Sequence, residues 1–149
     1  MQQIEIIVGS VLGATEYVAD AIAAACQELE LTANVHFSPN FVEINPDATW
    51  IVCSSTHGAG DLPDNIQVFN KQLQDCALTN SFLVVGLGDS SYDTYCQGAQ
   101  TLYDTMLNTG ATALQPPYLV DVLHHPIPED VVMTWITPHL TALNSTSGE

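Results

Sequence analysis

Three short segments hold the residue types and spacings that could do chemistry. The first is Gly9-Ser10-Val11-Leu12-Gly13-Ala14-Thr15-Glu16. It leads directly into a helical pattern, so its backbone N–H groups and the positive helix end can hold an anion without a lysine. Ser10 and Thr15 add hydroxyl donors. The GK[ST] ending of a nucleotide-triphosphate loop is absent, and so is GxGxxG spacing. The second segment is Ser54-Ser55-Thr56-His57-Gly58-Ala59-Gly60-Asp61-Leu62-Pro63-Asp64-Asn65. Gly58 and Gly60 around Ala59 permit a backbone that approaches a ligand closely or changes conformation. The third is Gly86-Leu87-Gly88-Asp89-Ser90-Ser91-Tyr92-Asp93-Thr94-Tyr95-Cys96. Tyr92 and Tyr95 offer flat faces in a polar loop, which suits stacking. Each segment alone also describes an ordinary turn. Their conjunction is the stronger signal.

The elements that must position these loops follow from periodicity. Residues 4–9, 32–37, 49–54, 82–87 and 118–123 read as strands. The run 82–87 is almost continuously apolar, the pattern of a strand covered on both faces. Val18, Ala21, Ile22, Ala25 and Leu29 give the helical segment 15–30 an apolar face. Ile66, Phe69 and Leu73 mark a second helix, with Asp64 as expected N-cap and Gln67 at the capping-box position. Ala99, Leu102, Tyr103, Met106 and Leu107 line a third, which Gly110 should end. Val132, Trp135, Ile136, Leu140 and Leu143 face a fourth, which Pro138 should kink; the tail from Asn144 should fray. Residues 38–48 read as a connection. Strands alternating with helices predict one α/β domain over residues 1–149, a doubly wound five-stranded parallel sheet of order 2-1-3-4-5. The three loops follow strands one, three and four. They would converge beyond neighbouring strand ends, forming a pocket for a flat, phosphorylated, largely apolar ligand.

Charge narrows the partners. The 149 residues contain 17 carboxylates and a single basic side chain, Lys71, for a formal net charge of −16. A chain so poor in cations cannot neutralise a run of phosphates, so nucleic acid and anionic membrane surfaces are poor partners. A basic protein partner, met by electrostatic steering, is the natural complement. No apolar run approaches the ~20 residues that span a bilayer. Cys26, Cys53, Cys76 and Cys96 form no CxxC pair, which argues against a zinc or thioredoxin motif. Four free thiols, and the lack of a signal-peptide pattern at the start of this sequence, lead to the expectation of a cytoplasmic monomer. His124 and His125 are adjacent, so their side chains diverge, and no metal site is expected.

These blocks, SSTHGAGDLPDN (54–65), GLGDSSYDTYC (86–96) and IPED…W (127–135), resemble the flavodoxin family, and within it the short-chain MioC-type members. The first two also resemble the flavin-binding domains of diflavin reductases. The resemblance implies FMN as cofactor and electron transfer as function. It implies that Ser10, Val11, Leu12, Gly13, Ala14 and Thr15 wrap the FMN phosphate. Ser55, Thr56, His57, Gly58, Ala59 and Gly60 would border the flavin ring, with His57 at a place often held by an aromatic or planar side chain. Gly58 would occupy the position whose peptide turns toward flavin N5 on reduction. Tyr92 would stack on the ring, and Gly88, Asp89, Tyr95 and Cys96 would complete its loop. One departure is the poverty of hydroxyls in the phosphate loop: Val11, Leu12 and Ala14 have none. Each hydrogen bond to a charged phosphate contributes roughly 1.5–3 kcal/mol, an offset that water reduces.

The leading expectation is a one-electron shuttle between a basic NADPH-dependent flavodoxin reductase and an acceptor redox enzyme, with no catalytic residue of its own. Rim carboxylates Asp61, Asp64, Asp89 and Asp93 would oppose full flavin reduction, each by roughly 0.4 kcal/mol at ~10 Å in high dielectric. Two alternatives remain at this stage. A weakly loaded or apo form acts by docking alone, or the chain is a flavin-dependent quinone reductase. The second lacks a nicotinamide-binding domain in this sequence.

Overall fold

The computed structural model describes residues 3–10, 14–55, 62–89 and 96–147, with side chains to Leu143. Six strands and four helices are present among them: β1 (Gln3–Gly9), α1 (Ala14–Glu28), β2 (Thr32–His36), β3 (Thr49–Ser54), α2 (Asp64–Leu73), β4 (Ser81–Gly88), α3 (Gln97–Thr109), β5 (Thr112–Ala113), β6 (Tyr118–Asp121) and α4 (Pro128–Ser147). A 3-10 turn, Phe41–Glu43, lies between β2 and β3. All strand pairs are parallel, in the order β2-β1-β3-β4-β5, and β6 also pairs with β4. This is the expected doubly wound order.

The burial of β1, β3 and β4 explains why their sequences lack polar alternation. On one face Ile4, Ile6 and Val8, Ile51 and Cys53, and Leu83, Val85 and Leu87 pack against Val18, Ala19, Ile22 and Cys26 of α1 and Val132, Ile136 and Leu140 of α4. On the other, Ile7, Trp50, Val52, Phe82 and Val84 meet Ile66, Phe69 and Leu73 of α2 and Ala99, Leu102 and Met106 of α3. Apolar side chains leave each central strand in both directions, so each reads as a continuous apolar run. Trp50 anchors the second layer: its ring lies 5.7 Å from Phe69 and 6.3 Å from Phe41, and Nε1 donates to Asn45 O at 2.8 Å.

Several local expectations needed correction. The last strand is not one run over 118–123. Its place beside β4 is shared by β5 and β6, with β5 opposite Ser81 and Phe82 and β6 opposite Val85 to Gly88. Pro116 and Pro117 lie between the two pieces, and proline cannot donate to a sheet ladder. The fully buried stripe of α1 is Thr15, Val18, Ala19, Ile22 and Cys26; the expected Ala25 and Leu29 pack half-buried against the same core, and Ala21 does not join it. Pro63, not Asp64, occupies the cap of α2 and makes no side-chain cap bond. Gln67 instead reaches back to Leu62 O at 2.9 Å and Asp64 Oδ1 at 3.4 Å. Leu107 stays exposed. Pro138 lies inside α4, where the pattern put it, and the helix runs past Asn144 to Ser147. Gly110 ends α3 as expected, at φ +101°, with its N–H on Leu107 O.

A carboxylate inside β1 carries an unanticipated structural task. Glu5 is 1% exposed. It accepts from Asn34 Nδ2 at 2.8 Å and Asn45 N at 3.1 Å, and pairs with His36 Nε2 at 3.0 Å. These bonds tie β2 and the 38–48 connection to β1. Buried carboxylates persist only with such partners.

Candidate functional site

The sheet register sets the three loop exits side by side. Gly9 stands opposite Ser54, and Ser54 opposite Gly86, in one row across β1, β3 and β4. Just beyond the row, Ser55 N donates to Gly9 O at 3.0 Å. The first and second loops therefore leave the sheet joined. Strand β4 runs two residues further, to Gly88 opposite Asp121, and Val122 N donates to Gly88 O at 2.8 Å.

Two glycines let helices come close at this end. A Cβ on Gly9 would lie 2.8 Å from Ile66 Cγ2 and 2.9 Å from Ser54 Oγ. A Cβ on Gly86 would lie 2.6 Å from Ala99 Cβ and 3.6 Å from Cys96 Cβ. The start of α3 thus rests on the row itself. Cys96 occupies the cap of α3 in the left-handed region, at φ 53° and ψ 24°, and is buried. Such a backbone is costly for a residue with a Cβ and is held here by the surrounding packing.

Of the expected binding residues, Ser10, Ala14, Thr15, Ser55, Gly88, Asp89 and Cys96 are described. Ser10 and Ser55 leave the joined strand ends, and Ala14 with buried Thr15 opens α1. Gly88 and Asp89 begin the third loop, and Cys96 closes it against Gly86. Val11, Leu12, Gly13, Thr56, His57, Gly58, Ala59, Gly60, Tyr92 and Tyr95 lie outside the described residues, as do Asp61 and Asp93.

The described residues fit FMN on one observation. Ser55 Oγ is buried with no hydrogen-bond partner among the described residues, at the point where the second loop leaves β3. A buried hydroxyl without a partner marks a place where a ligand group or water completes the bonding. The helix α1 starts at Ala14 with no lysine or arginine near it; Lys71 lies in the last turn of α2. That turn is roughly 10 Å further along the helix axis from the strand exits. Any phosphate here depends on backbone donors and the Ser10 and Thr15 hydroxyls, as the sequence implies.

One residue escaped the sequence reading. Asn65, in the first turn of α2, accepts from Ser10 N at 3.0 Å through Oδ1. Its Nδ2 donates to Val8 O at 2.9 Å and Phe37 O at 2.8 Å. An asparagine after Pro-Asp at a helix start reads as local turn chemistry; its partners lie 28 to 57 positions away.

Three thiols, Cys26, Cys53 and Cys76, are not set up as nucleophiles. Burial pushes Cys26 up to about 11 and Cys53 up to about 12. Desolvation, and then the charge of Asp75, also raise Cys76. No group of three or more metal-ligating side chains occurs among the described residues. His124 Nε2 lies 3.6 Å from Asp121 Oδ2 on the exposed segment after β6.

Comparison with known proteins agrees with this geometry. The flavodoxin family model matches residues 6–135. Protein MioC of Escherichia coli (strain K12) is 36% identical over 139 residues, covering 91% of this chain and 95% of that protein. NADPH-dependent diflavin oxidoreductase 1 of Bos taurus is 30% identical over 156 residues, 93% of this chain but 26% of that protein. The solved structure of a cysteine-to-alanine mutant of flavodoxin from Pseudomonas aeruginosa superposes with a TM-score of 0.84 at 27% identity, covering 95% of this chain and 99% of that one. Sheet order, loop placement and sequence likeness over nearly the whole chain converge: this chain belongs to the flavodoxin family and is an FMN-binding electron-transfer protein.

Proposed function

We propose that the chain shuttles single electrons from a basic NADPH-dependent flavodoxin reductase to an acceptor redox enzyme. The row Gly9–Ser54–Gly86, with the two joined loop exits beyond it, carries this reading. In it, Ser10, Val11, Leu12, Gly13, Ala14 and Thr15 hold the FMN phosphate through the backbone N–H groups from Val11 to Thr15 and the Ser10 and Thr15 hydroxyls, the Ser10 N–H being held by Asn65. Ser55, Thr56, His57, Gly58, Ala59 and Gly60 line one side of the ring, with the Ser55 hydroxyl as a hydrogen-bonding group. Tyr92 covers the ring face, and Gly88, Asp89, Tyr95 and Cys96 complete the third loop. Bound FMN supplies the redox chemistry; the chain binds it, orients its edge and sets the charge around it. The net charge of −16 supports a basic reductase as donor, because complementary charge speeds encounter. The likeness to part of a protein named as an NADPH-dependent diflavin oxidoreductase supports an NADPH-linked electron donor. No helix among the described residues is long and apolar enough to cross a membrane. We place the protein in the cytoplasm as a monomer.

The test is a reconstituted chain of transfer. FMN-loaded protein is mixed with NADPH, a flavodoxin reductase and a one-electron acceptor such as cytochrome c. Acceptor reduction that requires both proteins supports the shuttle. NADPH oxidation with a quinone by the purified chain alone would instead establish a quinone reductase. A docking-only role has one specific support, the hydroxyl-poor phosphate loop. Its signature is partner capture that is equal for the apo and FMN-loaded forms and unchanged by Tyr92→Ala.

A further inference from the structure

The side chain of Asn65 sits where four parts of the chain meet. Its Oδ1 accepts from the backbone N–H of Ser10, and its Nδ2 donates to the carbonyls of Val8 and Phe37. Both hydrogens on the amide nitrogen are matched to backbone acceptors, and the oxygen to a backbone donor. Asn65 belongs to α2, which is packed on β1 through Ile66 at Gly9. The orientation of the Ser10 peptide is thereby set by a helix in the core and by the ends of β1 and β2. It does not wait for a ligand.

That matters because the chain has no lysine or arginine to offer a phosphate at this end of the sheet; Lys71 lies in the last turn of α2. Binding must come from backbone donors and the Ser10 and Thr15 hydroxyls, and these act well only when held in place beforehand. We propose that Asn65 is a positioning residue for phosphate recognition: it pre-sets Ser10, the entry to the phosphate loop, and so confers preference for FMN over the same flavin without its phosphate. The inference rests on FMN being the cofactor and on the Ser10–Thr15 segment receiving its phosphate. In this role Asn65 acts through Ser10, its own side-chain amide being bonded to backbone partners.

Ligand choice separates this role from a merely structural one. A residue that only stabilises the fold affects FMN and riboflavin alike, because both need the same ring loops. A residue that pre-sets the phosphate loop affects FMN alone. Dissociation constants for FMN and riboflavin are measured by flavin fluorescence on wild type and Asn65→Ala, at one salt concentration. The ratio of FMN to riboflavin affinity should fall at least fivefold in the variant. A smaller fall, whatever the absolute affinities, overturns the proposal. A second measurement needs no variant. In the wild-type apo protein, the Ser10 amide proton should exchange with solvent at least a hundredfold slower than in an open chain. Exchange at the open-chain rate overturns the proposal as well. Wild-type protein that binds no FMN would strike the cofactor assignment; wild-type binding with an unchanged ratio in Asn65→Ala strikes only the role of Asn65.

Discussion

Adding one methyl group at Gly86 should disturb both stability and the end of the sheet where we propose that FMN binds. In Gly86→Ala the new Cβ would stand 2.6 Å from Ala99 Cβ and 2.9 Å from Leu119 Cδ2. Carbon atoms prefer about 3.5–4.0 Å. The end of Leu119 can rotate away, because it is exposed. Ala99 Cβ cannot, since it moves only with the backbone of α3. The helix must therefore retreat by roughly 1 Å from β4 to restore that separation. Overpacking of this kind costs about 1–3 kcal/mol. With a urea m-value of about 2 kcal/mol/M, a loss of about 2 kcal/mol lowers the unfolding midpoint by about 1 M. The cause can be isolated with Ala99→Gly, which removes the opposing methyl. The double variant should lie above the sum of the two single losses by at least ~1 kcal/mol, even though glycine inside a helix costs about 1 kcal/mol itself. Because Cys96 opens α3 beside the same glycine, FMN affinity should fall in Gly86→Ala and recover in the double variant. An unchanged midpoint in Gly86→Ala, or additive losses in the pair, would refute the reasoning.

Other outcomes follow from the same contacts. Glu5→Ala leaves the Asn45 N–H and the Asn34 amide without their acceptor and should lower stability by about 3 kcal/mol in urea unfolding; a change below about 1 kcal/mol contradicts the buried network. Alkaline stability should fall because of Cys26 and Cys53. Unfolded thiols ionise near 9.0, whereas the buried ones ionise at about 11 and 12, so above pH 9 the unfolded state releases protons that the folded state keeps. Each thiol then removes up to about 1.4 kcal/mol per pH unit until its own folded value is reached. Urea midpoints at pH 8, 9 and 10 should show this decline, and Cys53→Ala should reduce its slope. Association with a basic reductase should weaken as salt rises from 50 to 500 mM, through screening of the acidic surface. Salt-independent association would argue against electrostatic docking.

The parts of the fold that were legible in the sequence are those where one physical effect dominates. Residues 82–87 read as a buried strand because side chains on both faces are apolar, and β4 is indeed covered by α1 and α4 on one side and by α2 and α3 on the other. Gly110 read as a terminator because few other residues take φ +101° without strain. Strand order followed from the alternation of strands and helices with the loop blocks. The misses share a different cause. Asn65 and Glu5 are polar residues whose roles depend on partners distant in sequence, and residue type alone points to local turns or solvent. The division of the last strand reflects two prolines, Pro116 and Pro117, whose effect on pairing depends on where the chain meets β4. The cap of α2 lies one residue earlier than expected, at Pro63, and Gln67 reaches Leu62 O as well as Asp64 Oδ1.

The loop blocks pointed to one end of the sheet, and Ser10, Ser55, Gly88, Asp89 and Cys96 stand there. What the sequence did not show was how those exits are held. That depends on Ser55 N–H on Gly9 O, on the tight crossings at Gly9 and Gly86, and on the side chain of Asn65. Each is a contact between elements. With no lysine or arginine near the described start of α1, a phosphate there would depend on backbone N–H groups and on the Ser10 and Thr15 hydroxyls.

The most direct test of the central claim is titration of the apo protein with FMN at micromolar concentration, following flavin fluorescence. Saturable one-to-one binding with strong quenching, weakened by Tyr92→Ala, is the expected result. Flavin fluorescence that never saturates at micromolar protein would contradict it.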